Sequence, residues 1–132
     1  MEKEFAPYEL AVKLKDLGFN EPCFAYYRIF DGYPKEYTFG YFDEPKRYES
    51  NIMVFAPTFF QAFRWFREKY NLFGCIDLHS CNPPHWFVRI DNIVTNDYVF
   101  HSEDEQKKFT TYEEAELACL TKLIKIVEQT KN

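Results

Sequence analysis

The sequence predicts an α+β fold in which three amphipathic helices pack on a mostly antiparallel sheet of about five to six strands. Three observations carry this expectation. Apolar residues recur at helical spacing in three separate segments. Short runs rich in Tyr, Phe, Ile and Val lie between them, bounded by turn formers. The chain has 132 residues and no linker or low-complexity stretch, so residues 1–132 read as a single α+β domain.

The first helix is expected from about Pro7 to Leu17, with Pro7 at the first helical position, where its missing N–H would have had no partner. Leu10, Ala11, Leu14 and Leu17 form one stripe, opposite Glu9, Lys13 and Asp16. Gly18 supplies a left-handed cap and Phe19 folds back toward Leu14.

Cys23–Phe30 and Glu36–Phe42 flank Asp31, Gly32 and Pro34, which signals a β-hairpin. Both faces of this hairpin carry aromatic side chains, so covering elements are expected on more than one side. Asp43–Asn51 reads as a charged loop, and Ile52–Phe55 as a short third strand.

Thr58-Phe-Phe-Gln61 fits a capping box: the Thr hydroxyl takes the amide of Gln61, and Gln61 reaches back. The helix it opens carries Phe59, Ala62, Phe63, Phe66 and Tyr70 on one face, with Trp65 on the flank, and ends at Asn71 near a loop. Phe73–Leu78, Trp86–Ile90 and Tyr98–His101 read as three more strands, with turns at Cys81-Asn-Pro-Pro84 and Asn96-Asp97. Thr111-Tyr-Glu-Glu114 is a second capping box. Its helix runs to about Gln129, with an apolar face of Ala115, Cys119, Leu120, Leu123, Ile126 and Val127. Glutamates in its first turn and lysines toward its end agree with the helix dipole. The predicted order is α-βββ-α-βββ-α. The shared Thr-aromatic-x-Gln/Glu-Ala starts at Thr58 and Thr111 hint at two related units, but five positions are too few to establish a duplication.

The three helical segments also carry a resemblance. Glu4–Phe19, Ala56–Tyr70 and Thr111–Ile124 look like segments of small uncharacterised proteins encoded by bacteriophages, prophages and mobile elements of gut Bacteroidetes bacteria. The resemblance covers about a third of the chain. It implies a phage-type accessory protein acting inside a bacterium, and it brings no chemistry with it.

Composition narrows the function classes. The net charge is −5 with both signs dispersed, and there is no basic run to neutralise phosphates, so no nucleic-acid partner is expected. The N-terminus lacks the apolar stretch of a secretory signal, and the longest apolar run, Ile52–Ala56, is far too short to span a bilayer. A cytoplasmic protein with no membrane contact is the expectation. The four cysteines, Cys23, Cys75, Cys81 and Cys119, then read as reduced thiols, Cys23 and Cys119 as small core residues. Fifteen Phe and ten Tyr exceed what one small core hides, leaving rings for a surface.

Candidate chemistry is sparse. Cys75-x3-His79-x-Cys81-x3-His85 places four potential zinc ligands within eleven residues. If Cys75–Leu78 is extended, Cys75 and His79 stand roughly 13 Å apart, too far to share a metal. Only a compact loop would bring all four together, and His79, Cys81 and His85 around the Pro-Pro turn form the more reachable subset. A Cys81–His nucleophilic pair lacks an orienting third group. The carboxylates Glu113, Glu114 and Glu116, and Glu103, Asp104 and Glu105, are accounted for by helix capping and a solvated loop. No glycine motif for phosphates is present, so no cofactor and no enzymatic activity are expected.

Arg64, Trp65, Arg67, Trp86 and Arg89 remain as a binding set. Each alone reads as a solvated flank or a covering strand residue, and together they read as a recognition surface. The expected function is accordingly a non-enzymatic phage or mobile-element accessory protein that binds a host protein. Capture of a small nucleotide-like ligand is the alternative, and a zinc-stabilised binding domain a further one. Self-association is left open by the sequence.

Overall fold

The computed structural model describes residues 2–30, 33–42 and 53–131. Its elements are α1 (Tyr8–Asp16), β1 (Cys23–Phe30), β2 (Tyr33–Phe42), β3 (Met53–Ala56), α2 (Phe59–Tyr70), β4 (Leu72–Cys81), β5 (Pro84–Asn92), β6 (Tyr98–His101) and α3 (Tyr112–Thr130). Short 3-10 helices lie at Glu2–Glu4 and Ser102–Glu105. The fold is α+β, with three helices and antiparallel strands. The expected single sheet of five to six strands is corrected to two three-stranded sheets, ordered β2-β1-β3 and β4-β5-β6. The chain divides into two compact units, residues 1–61 and 62–132. The central strand is the first of its sheet in one unit and the second in the other, so the two similar helix starts do not head copies of one strand order.

In the first unit α1 packs on β3. Leu10, Ala11, Leu14 and Leu17 are buried, as the stripe requires. Pro7 is the residue before the helix rather than its first: its backbone is extended, and its carbonyl accepts from Ala11 N at 2.8 Å. The fixed φ of proline suits both positions. At the other end Gly18 has φ 102°, Phe19 N donates to Leu14 O at 2.9 Å, and Gly18 N donates to Lys15 O at 2.9 Å. That pair of bonds closes the helix in the way glycine at this position allows.

β1 is the middle strand, and Cys23 and Ala25 point into the core. Phe5, Ala25 and Ala56 form a buried cluster joined by Tyr27, whose hydroxyl donates to Ala6 O at 2.9 Å. Phe24, on the opposite face, is 62% exposed. β2 begins at Tyr33, three residues earlier than the sequence suggests, and so takes in Pro34. Proline is tolerated there because β2 is an outer strand, and the register shifts beside it, between Arg28↔Glu36 and Ile29↔Pro34. The predicted turn residues Asp31 and Gly32 and the charged loop Asp43–Asn51 lie outside the described residues, as does Ile52.

Thr58 Oγ1 accepts from Gln61 N at 3.0 Å, the expected half of the capping box. The other half is absent, because Gln61 Nε2 donates instead to Pro22 O at 2.7 Å. α2 ends on Asn71, whose left-handed backbone (φ 57°) turns the chain directly into β4, with no intervening loop.

In the second unit α3 lies across β4 and β5. Ala115, Cys119, Leu120, Leu123, Ile124 and Val127 are buried; Ile124 takes the place that the stripe gave to Ile126. Thr111 Oγ1 accepts from Glu114 N at 3.1 Å, while Glu114 Oε2 accepts from Thr110 Oγ1 at 3.2 Å rather than reaching back to the Thr111 amide. Glu113 and Glu114 occupy the first turn, but the helical lysines stop short of the last one. The β5–β6 turn is built by Asn92, whose Oδ1 accepts from Val94 N at 2.9 Å and Thr95 N at 3.1 Å, with Asn96 left-handed beyond it.

Candidate functional site

Strand alternation sorts the second sheet into two faces. Leu72, Gly74, Ile76 and Leu78 of β4 pair with Asn92, Ile90, Val88 and Trp86 of β5. Gly74 meets α3 directly, so these residues belong to the helix-covered face. Phe73, Cys75 and Asp77, with their partners Asp91, Arg89 and Phe87, line the other face. There Arg89 lies between two carboxylates: its Nε donates to Asp91 Oδ2 at 3.0 Å, and its Nη1 stands 3.4 Å from Asp77 Oδ2. Cys75 Sγ is 3.7 Å from Asp77 Oδ1, and burial first, then Asp77, pushes its thiol pKa up, so this cysteine stays protonated near neutrality. The rings of His79, Phe87 and His101 adjoin one another, with centroids 4.5 Å and 5.5 Å apart.

The candidate zinc ligands occupy a hairpin, not a compact loop. Cys81 pairs with Pro84 at the tip, His85 Nδ1 is 3.1 Å from Ser80 Oγ, and His79 stacks on Phe87. Among the described residues no three His, Cys, Asp or Glu side chains converge to hold a metal ion. Extended pairing separates Cys75 from His79, as the ~13 Å strand spacing requires.

Nor do the five candidate recognition residues form one surface. Trp86 and Arg89 are three apart on one strand and therefore face opposite ways. Trp86 lies on the helix side, edge-on to Tyr112 at 5.3 Å. Trp65 is 5% exposed and packs edge-on against Phe66 and Tyr70, with Lys69 Nζ 5.1 Å from its ring. It is a core residue. Arg64 is exposed and Arg67 half-buried on α2.

What the second unit does present is a cleft of about 560 Å³ between β5, β6, the Ser102–Phe109 segment and α3. Val88, Phe100, Phe109, Leu117 and Ala118 make its apolar part. Lys107, Lys122, Lys125, Glu105 and Glu114 stand around it, with Ser102 and Thr121. On α3 the lining residues are Glu114, Leu117, Ala118, Thr121, Lys122 and Lys125, one continuous stripe at helical spacing beside the core stripe.

The segment that closes the cleft is held at both ends. Ser102 is 1% exposed, and its Oγ accepts from Val88 N at 2.9 Å. Its own hydroxyl proton has no acceptor among the described residues. Seven residues on, Phe109 and Trp86 exchange two backbone bonds, at 2.8 and 2.9 Å. Between these points Gln106 turns left-handed (φ 56°), and Lys107 N donates to Ser102 O. Glu105 reaches Lys107 at 3.4 Å and Lys122 at 4.0 Å, while Lys122 Nζ sits 4.5 Å from the Phe100 ring centroid. Lys125 has no carboxylate partner among the described residues.

None of Arg64, Trp65, Arg67, Trp86 or Arg89 lines this cleft. Sequence reading missed it because its walls come from residues as far apart as Val88 and Lys125. The one legible signal was the second stripe on α3, apolar in the middle and cationic at one end.

Compared with protein families, with curated proteins and with solved structures, the chain shows no significant match. No described helix is long and apolar enough to cross a membrane.

Proposed function

We propose that this protein captures a small ligand in the cleft between β5–β6 and α3. The observation that carries the reading is the cleft itself. Its volume of about 560 Å³ falls within the range of roughly 300–1,000 Å³ typical of ligand pockets. Its apolar part gives a ligand surface to bury, and the polar and charged side chains around it give groups that fix orientation. Binding fits better than turnover. None of His79, His85 and His101 lines the cleft, and among the described residues no side-chain base is hydrogen-bonded to the Ser102 hydroxyl to activate it as a nucleophile.

A neutral fluorescent probe, N-phenyl-1-naphthylamine, tests this reading without invoking charge. The protein is expected to enhance its emission saturably, and Ala118→Trp, which fills the cleft from α3, is expected to abolish the effect. Equal enhancement by that variant, with its fold intact by circular dichroism, would refute ligand capture here.

A second reading, a phage or mobile-element accessory protein that engages a host protein in the bacterial cytoplasm, draws support from one surface. β6 is an outer strand of its sheet, and Tyr98 and Val99 on it are exposed beside Ile93 and Val94. Unpaired strand edges with apolar side chains are templates for an added strand. Affinity purification from a Bacteroidetes host is expected to return a partner that Val99→Lys loses; repeated recovery of none would count against it.

A further inference from the structure

We propose that the cleft selects a monoanion, a carboxylate carried on an elongated apolar body, and that Lys125, Lys122 and Ser102 supply the selectivity. This rests on the ligand-capture reading above and adds the class of ligand.

Charge is the first argument. The protein as a whole is acidic, at −5, yet three ammonium groups and two carboxylates line the cleft, leaving one positive charge in excess. Glu105 is shared between Lys107 and Lys122 and reaches the latter only at 4.0 Å. Lys122 is nevertheless held in place, its ammonium over the Phe100 ring, a geometry that keeps the charge at the cleft wall rather than in bulk water. Lys125, one turn further on, has no described counter-charge. A single added negative charge balances the site; a dianion overshoots it.

The second argument is the Ser102 hydroxyl. A buried serine has one proton to donate, and leaving it without an acceptor costs free energy. Ser102 lines the cleft, accepts from Val88 N and has no described acceptor for its own proton. A ligand oxygen completes it, which favours a carboxylate or another acceptor over an amine.

Shape is the third. The stripe from Glu114 to Lys125 rises about 16 Å at 1.5 Å per residue. Its middle is Leu117 and Ala118, and its two cations lie toward the C-terminal end, away from Glu114. An extended apolar body along α3, with its charged head toward Lys122 and Lys125, follows that polarity.

The test displaces N-phenyl-1-naphthylamine from the full chain with octanoate, octanol, octylammonium and octyl phosphate. Octanoate is expected to displace it about tenfold better than octanol, and better than octyl phosphate, with octylammonium weakest. Lys125→Gln, a change at an exposed position, is expected to weaken octanoate about threefold and leave octanol unchanged. Octanol equal to octanoate, octylammonium or octyl phosphate ahead of it, or octanoate indifferent to Lys125→Gln would overturn anion selection while ligand capture stood. Failure of the neutral dye to bind at all would remove both.

Discussion

Gly74 and Cys119 approach so closely that a methyl group built on Gly74 would stand 2.7 Å from the Cys119 sulfur. The same methyl group would lie 3.1 Å from Leu123 Cδ1. Two buried positions of α3 therefore rest on the bare backbone of β4, and the seating of the helix depends on the missing side chain. Gly74→Ala is expected to destabilise the protein by about 1–3 kcal/mol through overpacking. Chemical denaturation measures this, and adding Cys119→Ala should recover part of the loss, because residues in contact couple.

The cysteines separate by burial. Burial pushes the Cys23 thiol from its ordinary 9.0 up to about 12, with Glu21 adding to the effect, and burial pushes the Cys119 thiol up as well. Between pH 9 and 12 the unfolded chain releases these protons while the folded chain keeps them, so their contribution to stability is complete below pH 9 and declines as pH rises. In native protein at pH 8, iodoacetamide is expected to label the exposed Cys81 first and to leave Cys23 and Cys119 unmodified until denaturant is added. Peptide mass spectrometry reads the order directly.

Arg89 makes two ion pairs, yet its side chain is 42% exposed, with Asp77 at 43% and Asp91 at 28%. Water screens pairs of this kind, which contribute roughly 0–1 kcal/mol. Arg89→Met is therefore expected to shift the denaturation midpoint by less than Gly74→Ala does, although Arg89 forms the more conspicuous contacts.

Much of the helical framework was legible because helix ends are local chemistry. Gly18, Thr58 and Thr111 each act through hydrogen bonds spanning three to five residues, and each closes or opens its helix where the sequence places it. The division into two sheets was not legible, since strand pairing is decided by contacts far apart in the chain. The separation of Trp86 from Arg89 was readable in principle from their odd spacing on one strand. The burial of Trp65 was not, because a flank position on a helix becomes core only when a neighbour covers it. For the zinc candidates the local geometry is what matters: among the described residues the paired hairpin brings no three of them together, where a loop would gather them.

The doubly anchored segment from Ser102 to Phe109 bears on how the cleft meets a guest. Its turn is set during folding by bonds to Val88 and Trp86 rather than by anything that enters later. A visitor thus finds the wall already standing, and association need not freeze a wandering loop. Such preorganisation lets a compact molecule bind well with few contacts, and it makes these two anchors levers on affinity.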